Sequence, residues 1–284
     1  MVNEPYSPYV TNRGALLLKA LQQEGLTAFT VNDAKRVADP LKIGDQVLRQ
    51  LLYRMSKSQW IRRIRRGVYV LVDSSIGGIG LHPFVVASHL VEPCAISHWS
   101  ALAHHGLTDQ IPRHVTATTT KHLVTPSMRN PGPRQSDEKH TWEMDGVRYE
   151  FFVTIPNRYF GHEDIWVGEQ SKVKITDKER TVLDLFLSPR VFGGITLALA
   201  TLEEHRGELN LDRLVRHALQ LGVDAVAKRV GWALQNQGAQ ESAWGPLKAL
   251  PITGFRPLDS TLGAEGKHDS AWGLRINLPW KSRP

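Results

Sequence analysis

Cysteine is nearly absent from this sequence. Cys94 is the single cysteine among 284 residues, which excludes an intrachain disulfide and any zinc or iron–sulfur site with several cysteine ligands. Long apolar runs are missing as well: no stretch of about 18 apolar residues occurs, so we expect no membrane span. The N-terminus is polar and lacks the basic-then-apolar order of a signal peptide. We therefore expect a soluble, cytoplasmic protein.

The motifs of several enzyme classes are also missing. The chain contains no Walker A loop and no G-x-G-x-x-G, G-x-S-x-G or H-E-x-x-H sequence. Two histidine pairs are seven residues apart, but no third metal ligand stands at a suggestive spacing. These pairs are His82 with His89 and His98 with His105. Asp177 and Glu179 begin a predicted helix, where capping explains both acids. We expect no metal, no cofactor and no catalytic residue, and hence no enzyme.

Positive charge is present and unevenly distributed. The chain has a net charge of +7. Residues 11–72 contain twelve Lys and Arg against four Asp and Glu, a net +8, whereas residues 1–10 contribute −1 through Glu4 and residues 73–284 sum to zero. Charge concentrated in this way is typical of a module that binds a polyanion.

The same segment predicts three short helices. Residues 13–24 place leucines at helical spacing. Thr30 is a suitable N-cap for a second helix, which should end near Ala38 because Pro40 disfavours helix at the residue before it. A third helix from about Gly44 has one apolar stripe, formed by Val47, Leu48, Leu51, Leu52 and Met55.

The pattern then changes to that of β-structure. Residues 60–65 and 67–72 are two β-rich runs, and Arg65-Arg66-Gly67 forms a tight basic turn between them. Three helices followed by a basic hairpin is the order of a winged helix-turn-helix. In such a module, a helix enters the major groove and the hairpin lies along phosphates. We therefore expect double-stranded DNA as a partner.

The polar face of the third helix supplies the candidate contacts. Arg and Gln can form bidentate hydrogen bonds with guanine and adenine. The predicted base-reading residues are Gln46, Arg49, Gln50 and Tyr53, and the predicted phosphate and wing contacts are Lys42, Arg54, Lys57, Arg62, Arg63, Arg65 and Arg66. The simpler alternatives are a solvated helix face or a winged helix that contacts protein. Both predict little DNA affinity.

A small-residue stretch, residues 74–80, is the best linker candidate. We expect a DNA-binding domain at 1–75 and a second domain at 76–284. The second domain reads as two helices, an antiparallel sheet with a hairpin around Asp145-Gly146, and a helical bundle, which makes the whole chain α+β. Residues 127–135 read as a loop. The tail after about residue 245 shows no clear period, and we expect it to be irregular and to lie on the surface.

Three sequence blocks carry a family resemblance. They are Trp60…Arg65-Arg66-Gly67-Val68-Tyr69, Ile96-Ser97-His98-Trp99-Ser100-Ala101-Leu102…His105-Gly106-Leu107, and the run Lys174 to Leu185 followed by Gly222 to Trp232. Through these blocks, residues 13–236 resemble the AbiEi antitoxins of type IV toxin–antitoxin systems, which act in abortive infection and phage defence.

The resemblance implies a transcriptional repressor that binds inverted repeats in its own promoter through the winged helix. It also implies a C-terminal domain that counteracts a nucleotidyltransferase-like toxin without a stable complex. Two other readings stay open. One is a winged-helix transcription factor whose C-terminal domain senses a ligand or partner, with no toxin. The other is a nucleic-acid-processing enzyme that the winged helix targets to DNA.

Overall fold

A computed structural model describes residues 8–73, 78–123, 140–168, 171–263 and 265–279. These residues form ten α-helices and three sheets of four, six and three strands, so the predicted α+β class is confirmed. None of the described helices is both long enough and apolar enough to cross a bilayer.

The chain divides into two compact units. The first comprises residues up to Glu92 together with Trp142–Arg148 and Trp166–Val173, and the second comprises the remainder from Pro93 onward. Three predictions fall outside the described residues. They are the domain boundary between residues 75 and 76, the start of the linker and the loop at 127–135. The end of the predicted linker forms a short strand, Gly78–Ile79, which pairs with Val72 and Asp73.

The described residues of the first unit include four helices and one four-stranded sheet. The helices are α1 (Pro8–Gln23), α2 (Val31–Ala38), α3 (Asp45–Lys57) and α4 (Pro83–Leu90). The strands are β1 (Ala28–Thr30), β2 (Ile61–Arg65), β3 (Val68–Asp73) and β4 (Gly78–Ile79). β3 pairs antiparallel with each of the other three strands.

Local sequence explains the start of α2 and the orientation of α3. Thr30 Oγ1 accepts a hydrogen bond from Asp33 N at 3.1 Å, and Asp33 Oδ2 accepts one from Thr30 N at 2.8 Å. This reciprocal cap confirms the predicted N-cap. In α3, Leu48, Leu51, Leu52 and Met55 are buried in a core shared with α1 and β1, as the apolar stripe predicted.

The described residues of the second unit include six helices. The helices are α5 (His98–His104), α6 (Lys178–Leu187), α7 (Thr196–His205), α8 (Leu211–Leu221), α9 (Asp224–Asn236) and α10 (Glu241–Lys248). The six-stranded sheet has the order β7-β8-β6-β5-β10-β9, and its segments Trp142–Arg148 and Trp166–Val173 belong to the first unit. Its strands are β5 (Ala95–Ile96), β6 (Val115–Thr119), β7 (Thr141–Met144), β8 (Val147–Val153), β9 (His162–Val167) and β10 (Ser171–Thr176).

The predicted antiparallel sheet is wrong in one respect, because this sheet is mixed. β8 runs parallel to β6, and β10 runs parallel to β5. β6 is buried at all five positions, as expected for an interior strand with a neighbour on each side. The predicted hairpin is present: Asp145 and Gly146 have φ values of 53° and 74°, the backbone of a two-residue hairpin turn.

The prediction for the tail is also wrong. Three short strands, β11 (Arg256–Pro257), β12 (Lys267–Asp269) and β13 (Leu274–Ile276), form a small sheet. Trp272 is 1% exposed and belongs to the helical core. Its ring lies against Gly231 of α9, where a Cβ atom would overlap it. The tail therefore contributes side chains to the core of the second unit. The sequence did not predict this, because the apolar residues of the tail pack through long-range contacts and show no local period.

Candidate nucleic-acid interface

The exposed face of α3 carries all four predicted base-reading residues. Gln46, Arg49, Gln50 and Tyr53 are exposed, and their spacing places them on one side of the helix. The Tyr53 side chain is 65% exposed, although burial of an aromatic ring is normally favourable. The opposite side of α3 is fixed in the core. The helix therefore presents a polar face on a rigid support.

Three of the predicted phosphate residues surround this face. Arg54 and Lys57 are exposed in the second half of α3, and the Lys57 ammonium lies 5.8 Å from the centre of the Tyr53 ring. Lys42 is exposed in the turn before α3, where its φ of 55° is in the left-handed region. Within the described residues, no salt bridge engages Lys42, Arg54 or Lys57.

The arginines of the β2–β3 hairpin form two groups. Arg63 and Arg66 are exposed, and Arg63 Nε donates to the Arg65 carbonyl oxygen at 3.3 Å. Arg62 is half-buried and forms an ion pair with Asp145 in the hairpin tip that belongs to the same unit. Arg65 is also half-buried and donates from Nε to the His89 carbonyl oxygen at 2.7 Å. The structure thus holds Arg62 and Arg65 with internal partners, which the sequence did not indicate.

Two other basic side chains of this unit form ion pairs with acidic side chains at the surface. Lys35 Nζ lies 2.6 Å from Asp45 Oδ2, and Arg36 Nη1 lies 2.5 Å from Glu24 Oε2. Arg49 has no ion pair among the described residues. Among the described residues of this unit, positive charge without an ion pair therefore lies on α3, on the turn before it and at the hairpin, and also on α1, where Arg13 and Lys19 are exposed.

Several of the histidines and acids considered as metal or catalytic groups have structural partners. His82 accepts a hydrogen bond from Phe84 N and caps α4, and His105 Nε2 lies 2.7 Å from the Thr176 carbonyl oxygen. Asp177 Oδ1 caps α6 by accepting from Arg180 N at 2.7 Å. Throughout the described ranges, no group of three or more His, Cys, Asp or Glu is placed to hold a metal ion.

Two groups of the second unit are held in their neutral forms by burial. Burial raises the pKa of the Cys94 thiol to about 12. Burial likewise lowers the pKa of His98 to about 4. Near neutral pH, Cys94 is therefore a thiol rather than a thiolate nucleophile, and His98 is an uncharged imidazole.

Comparison with known proteins gives a likeness of fold. No family model matches the chain, and no curated protein matches it. The crystal structure of the RV2827C protein from Mycobacterium tuberculosis is similar to it, with a TM-score of 0.61 at 12% sequence identity. The likeness covers 94% of this chain and 92% of that chain. At this identity it concerns the fold alone.

Proposed function

We propose that this protein is a DNA-binding transcriptional autorepressor and the antitoxin of a type IV toxin–antitoxin system. In this proposal the first unit is a winged helix-turn-helix, with α3 as the recognition helix and the β2–β3 hairpin as the wing. One observation carries the DNA-binding half. The exposed face of α3 holds Gln46, Arg49 and Gln50, and none of the ion pairs among the described residues engages Arg49.

The chemistry of that face fits base recognition. Arg49 can bind the O6 and N7 acceptors of guanine, and Gln46 or Gln50 can bind the N6 and N7 groups of adenine. Among the described residues, Lys42, Arg54, Lys57, Arg63 and Arg66 have no ion pair that binding to phosphate would break, although Arg63 Nε donates to the Arg65 carbonyl oxygen. Five neutralised phosphates predict a slope of about −4.5 for the logarithm of affinity against the logarithm of salt concentration.

The DNA-binding half is tested by fluorescence anisotropy on the DNA upstream of the protein's own coding sequence, with a scrambled duplex as competitor. We expect tight, competitor-resistant binding that weakens with salt. Arg49→Ala should reduce the preference for the upstream site about tenfold or more, because one bidentate base contact contributes about 1–3 kcal/mol. Arg216→Ala is the matched control, since it removes an equal charge from an exposed position of α8 in the second unit. Unchanged preference in Arg49→Ala would contradict the assignment of α3.

The antitoxin half rests on the resemblance of the blocks around Ser97–Leu107 and Lys174–Leu185 to AbiEi proteins. The counterpart would be a nucleotidyltransferase-like toxin encoded nearby, and both proteins would act in the cytoplasm. Co-expression is the test: the full chain should restore growth of cells that produce the toxin. Affinity purification should recover no stable complex of the two proteins. Rescue should persist in Arg49→Ala, because the second unit would carry that activity.

A regulator with a ligand-sensing second unit is the other candidate, and one observation favours it. The second unit contains a cavity beside β8 and α6 that is lined in part by charged side chains. This candidate predicts that no adjacent toxin gene exists and that a small molecule changes DNA affinity. Failure of toxin rescue together with specific DNA binding would favour this candidate.

A further inference from the structure

The second unit contains a cavity of about 330 Å³ beside β8 and α6. This volume lies at the lower end of the range for small-molecule sites, about 300–1,000 Å³. Its described walls include the ring of Phe152, the imidazole of His98 and three charged side chains, Glu150, Arg180 and Asp184. In a cavity of this size, the charged side chains limit the size and the charge of the ligands that can bind.

Asp184, on the cavity wall, has an unsatisfied hydrogen-bond acceptor. Its side chain is only 2% exposed. Oδ1 accepts a hydrogen bond from Arg180 Nε at 2.9 Å, but Oδ2 is buried and accepts none from the described residues. A buried carboxylate oxygen without a hydrogen-bond donor destabilises the fold, because it has lost its hydrogen bonds to water and forms none within the protein. The site therefore lacks one hydrogen-bond donor.

Arg180 is held in place by other contacts. Its Nη1 donates to the carbonyl oxygen of Arg158 at 2.9 Å, and its guanidinium lies 4.6 Å from the centre of the Phe160 ring. These contacts hold the guanidinium in the orientation in which Nε donates to Asp184 Oδ1. Arg180 therefore donates a hydrogen bond to Oδ1 of Asp184, and Oδ2 is able to accept one from a bound ligand.

His98 forms a fixed, uncharged wall. Its ring stacks on Phe152 with centres 3.9 Å apart, and Nδ1 lies 2.8 Å from Ser97 Oγ, which in turn lies 2.8 Å from Thr118 Oγ1. The backbone of His98 has a φ of 53°, an unusual conformation for a residue with a side chain and one found often at binding sites. Because burial keeps this imidazole neutral, His98 adds no positive charge to the cavity.

The charges on the described walls do not cancel. Asp184 and Glu150 contribute two carboxylates and Arg180 contributes one guanidinium, and the lining also includes the imidazoles of His98 and His140. Glu150 Oε2 lies 2.9 Å from His114 Nε2, which balances its charge only when that imidazole is protonated. An anionic ligand would therefore meet repulsion, whereas a cation with N–H groups would supply the missing donor and balance the charge.

We propose that this cavity binds a small organic cation that bears N–H donors, a primary ammonium or a guanidinium group, through Asp184 and Glu150. The proposal concerns the second unit and does not depend on DNA binding. Its test therefore uses the full chain without DNA, so that a failure here and a failure of the proposed repressor are separate results.

The experiment is calorimetric titration and thermal unfolding with agmatine and putrescine as probes. We expect saturable binding with a Kd on the order of 1 mM or tighter and a melting temperature that rises with probe concentration. Tetramethylammonium has the charge without N–H donors, and we expect it to bind at least about tenfold more weakly.

Variants locate the site. Glu150→Gln and Asp184→Asn should each weaken binding about tenfold or more. Glu204→Gln, which removes the same charge from an exposed position of α7, should bind as the original chain does. If Asp184→Asn fails to fold, Glu150→Gln decides, because the Glu150 side chain is 31% exposed and its replacement leaves the core intact.

Three results would overturn the proposal. The first is the absence of binding heat and of any melting shift at roughly ten times the expected Kd for both probes. The second is binding of tetramethylammonium with equal affinity, which would indicate charge screening alone. The third is an unchanged affinity in Glu150→Gln.

Discussion

In the first unit, the described core is apolar throughout, and the charged side chains lie at or near the surface. The second unit instead buries several charged side chains, among them Glu179, Arg180, Asp184, Arg229 and Asp259. Each arrangement has a consequence. Surface cations without partners are available to a polyanion, whereas buried charges must be satisfied within the protein or by a ligand.

The strongest test of this difference compares a buried ion pair with an exposed one. Arg180→Ala leaves the buried Asp184 carboxylate without its counter-ion and should lower the free energy of unfolding by about 3–5 kcal/mol. Arg36→Ala removes a pair with Glu24 in which the Arg36 side chain is 57% exposed, and it should change stability by less than about 1 kcal/mol. Urea unfolding measures both. Equal losses in the two variants would contradict the comparison.

A second test concerns the packing that the tail adds to the second unit. Gly231→Ala places a methyl group against the Trp272 ring and should cost about 1–3 kcal/mol through overpacking. Gly207→Ala is the matched control, because a Cβ atom there meets nothing within 4 Å. Thermal unfolding distinguishes them. A neutral Gly231→Ala would mean that the tail packs differently from the structure described here.

A third test addresses the free cations of the first unit. The double variant Arg63→Ala and Arg66→Ala should weaken binding to the upstream and scrambled duplexes alike. The salt slope should become less negative by about 1.8, since each lost phosphate contact contributes about 0.9. Anisotropy titrations at several salt concentrations give the slope. An effect on the upstream duplex alone would assign these arginines to base recognition instead.

The smallest expected effect concerns the arginine that the first unit pairs internally. Asp145→Asn releases Arg62 from its ion pair and should make the salt slope more negative by up to about 0.9, with a modest gain in affinity for both duplexes. Asp164→Asn is the control, because it removes an equal charge from an exposed pair with Lys174 in the second unit. Identical slopes for the two variants would show that Arg62 does not reach phosphate.

The candidate interface was largely predictable from the sequence. The apolar stripe of α3 dictates which of its residues face outward, so the positions of Gln46, Arg49 and Gln50 follow from helical periodicity. The partners of Arg62 and Arg65 did not follow. Asp145 is 83 residues from Arg62 in the sequence. The His89 carbonyl belongs to α4, and the pattern of side chains does not predict that this helix lies next to Arg65.

The sequence by itself determined the local features of this protein: the cap at Thr30, the three N-terminal helices, the β2–β3 hairpin and the turn at Asp145-Gly146. Each depends on interactions between residues close along the chain, which composition and periodicity record. Only the tertiary structure decided the parallel pairing of β6 with β8, the burial of Trp272 and the cavity beside Asp184. These depend on contacts between distant residues, which local periodicity does not encode.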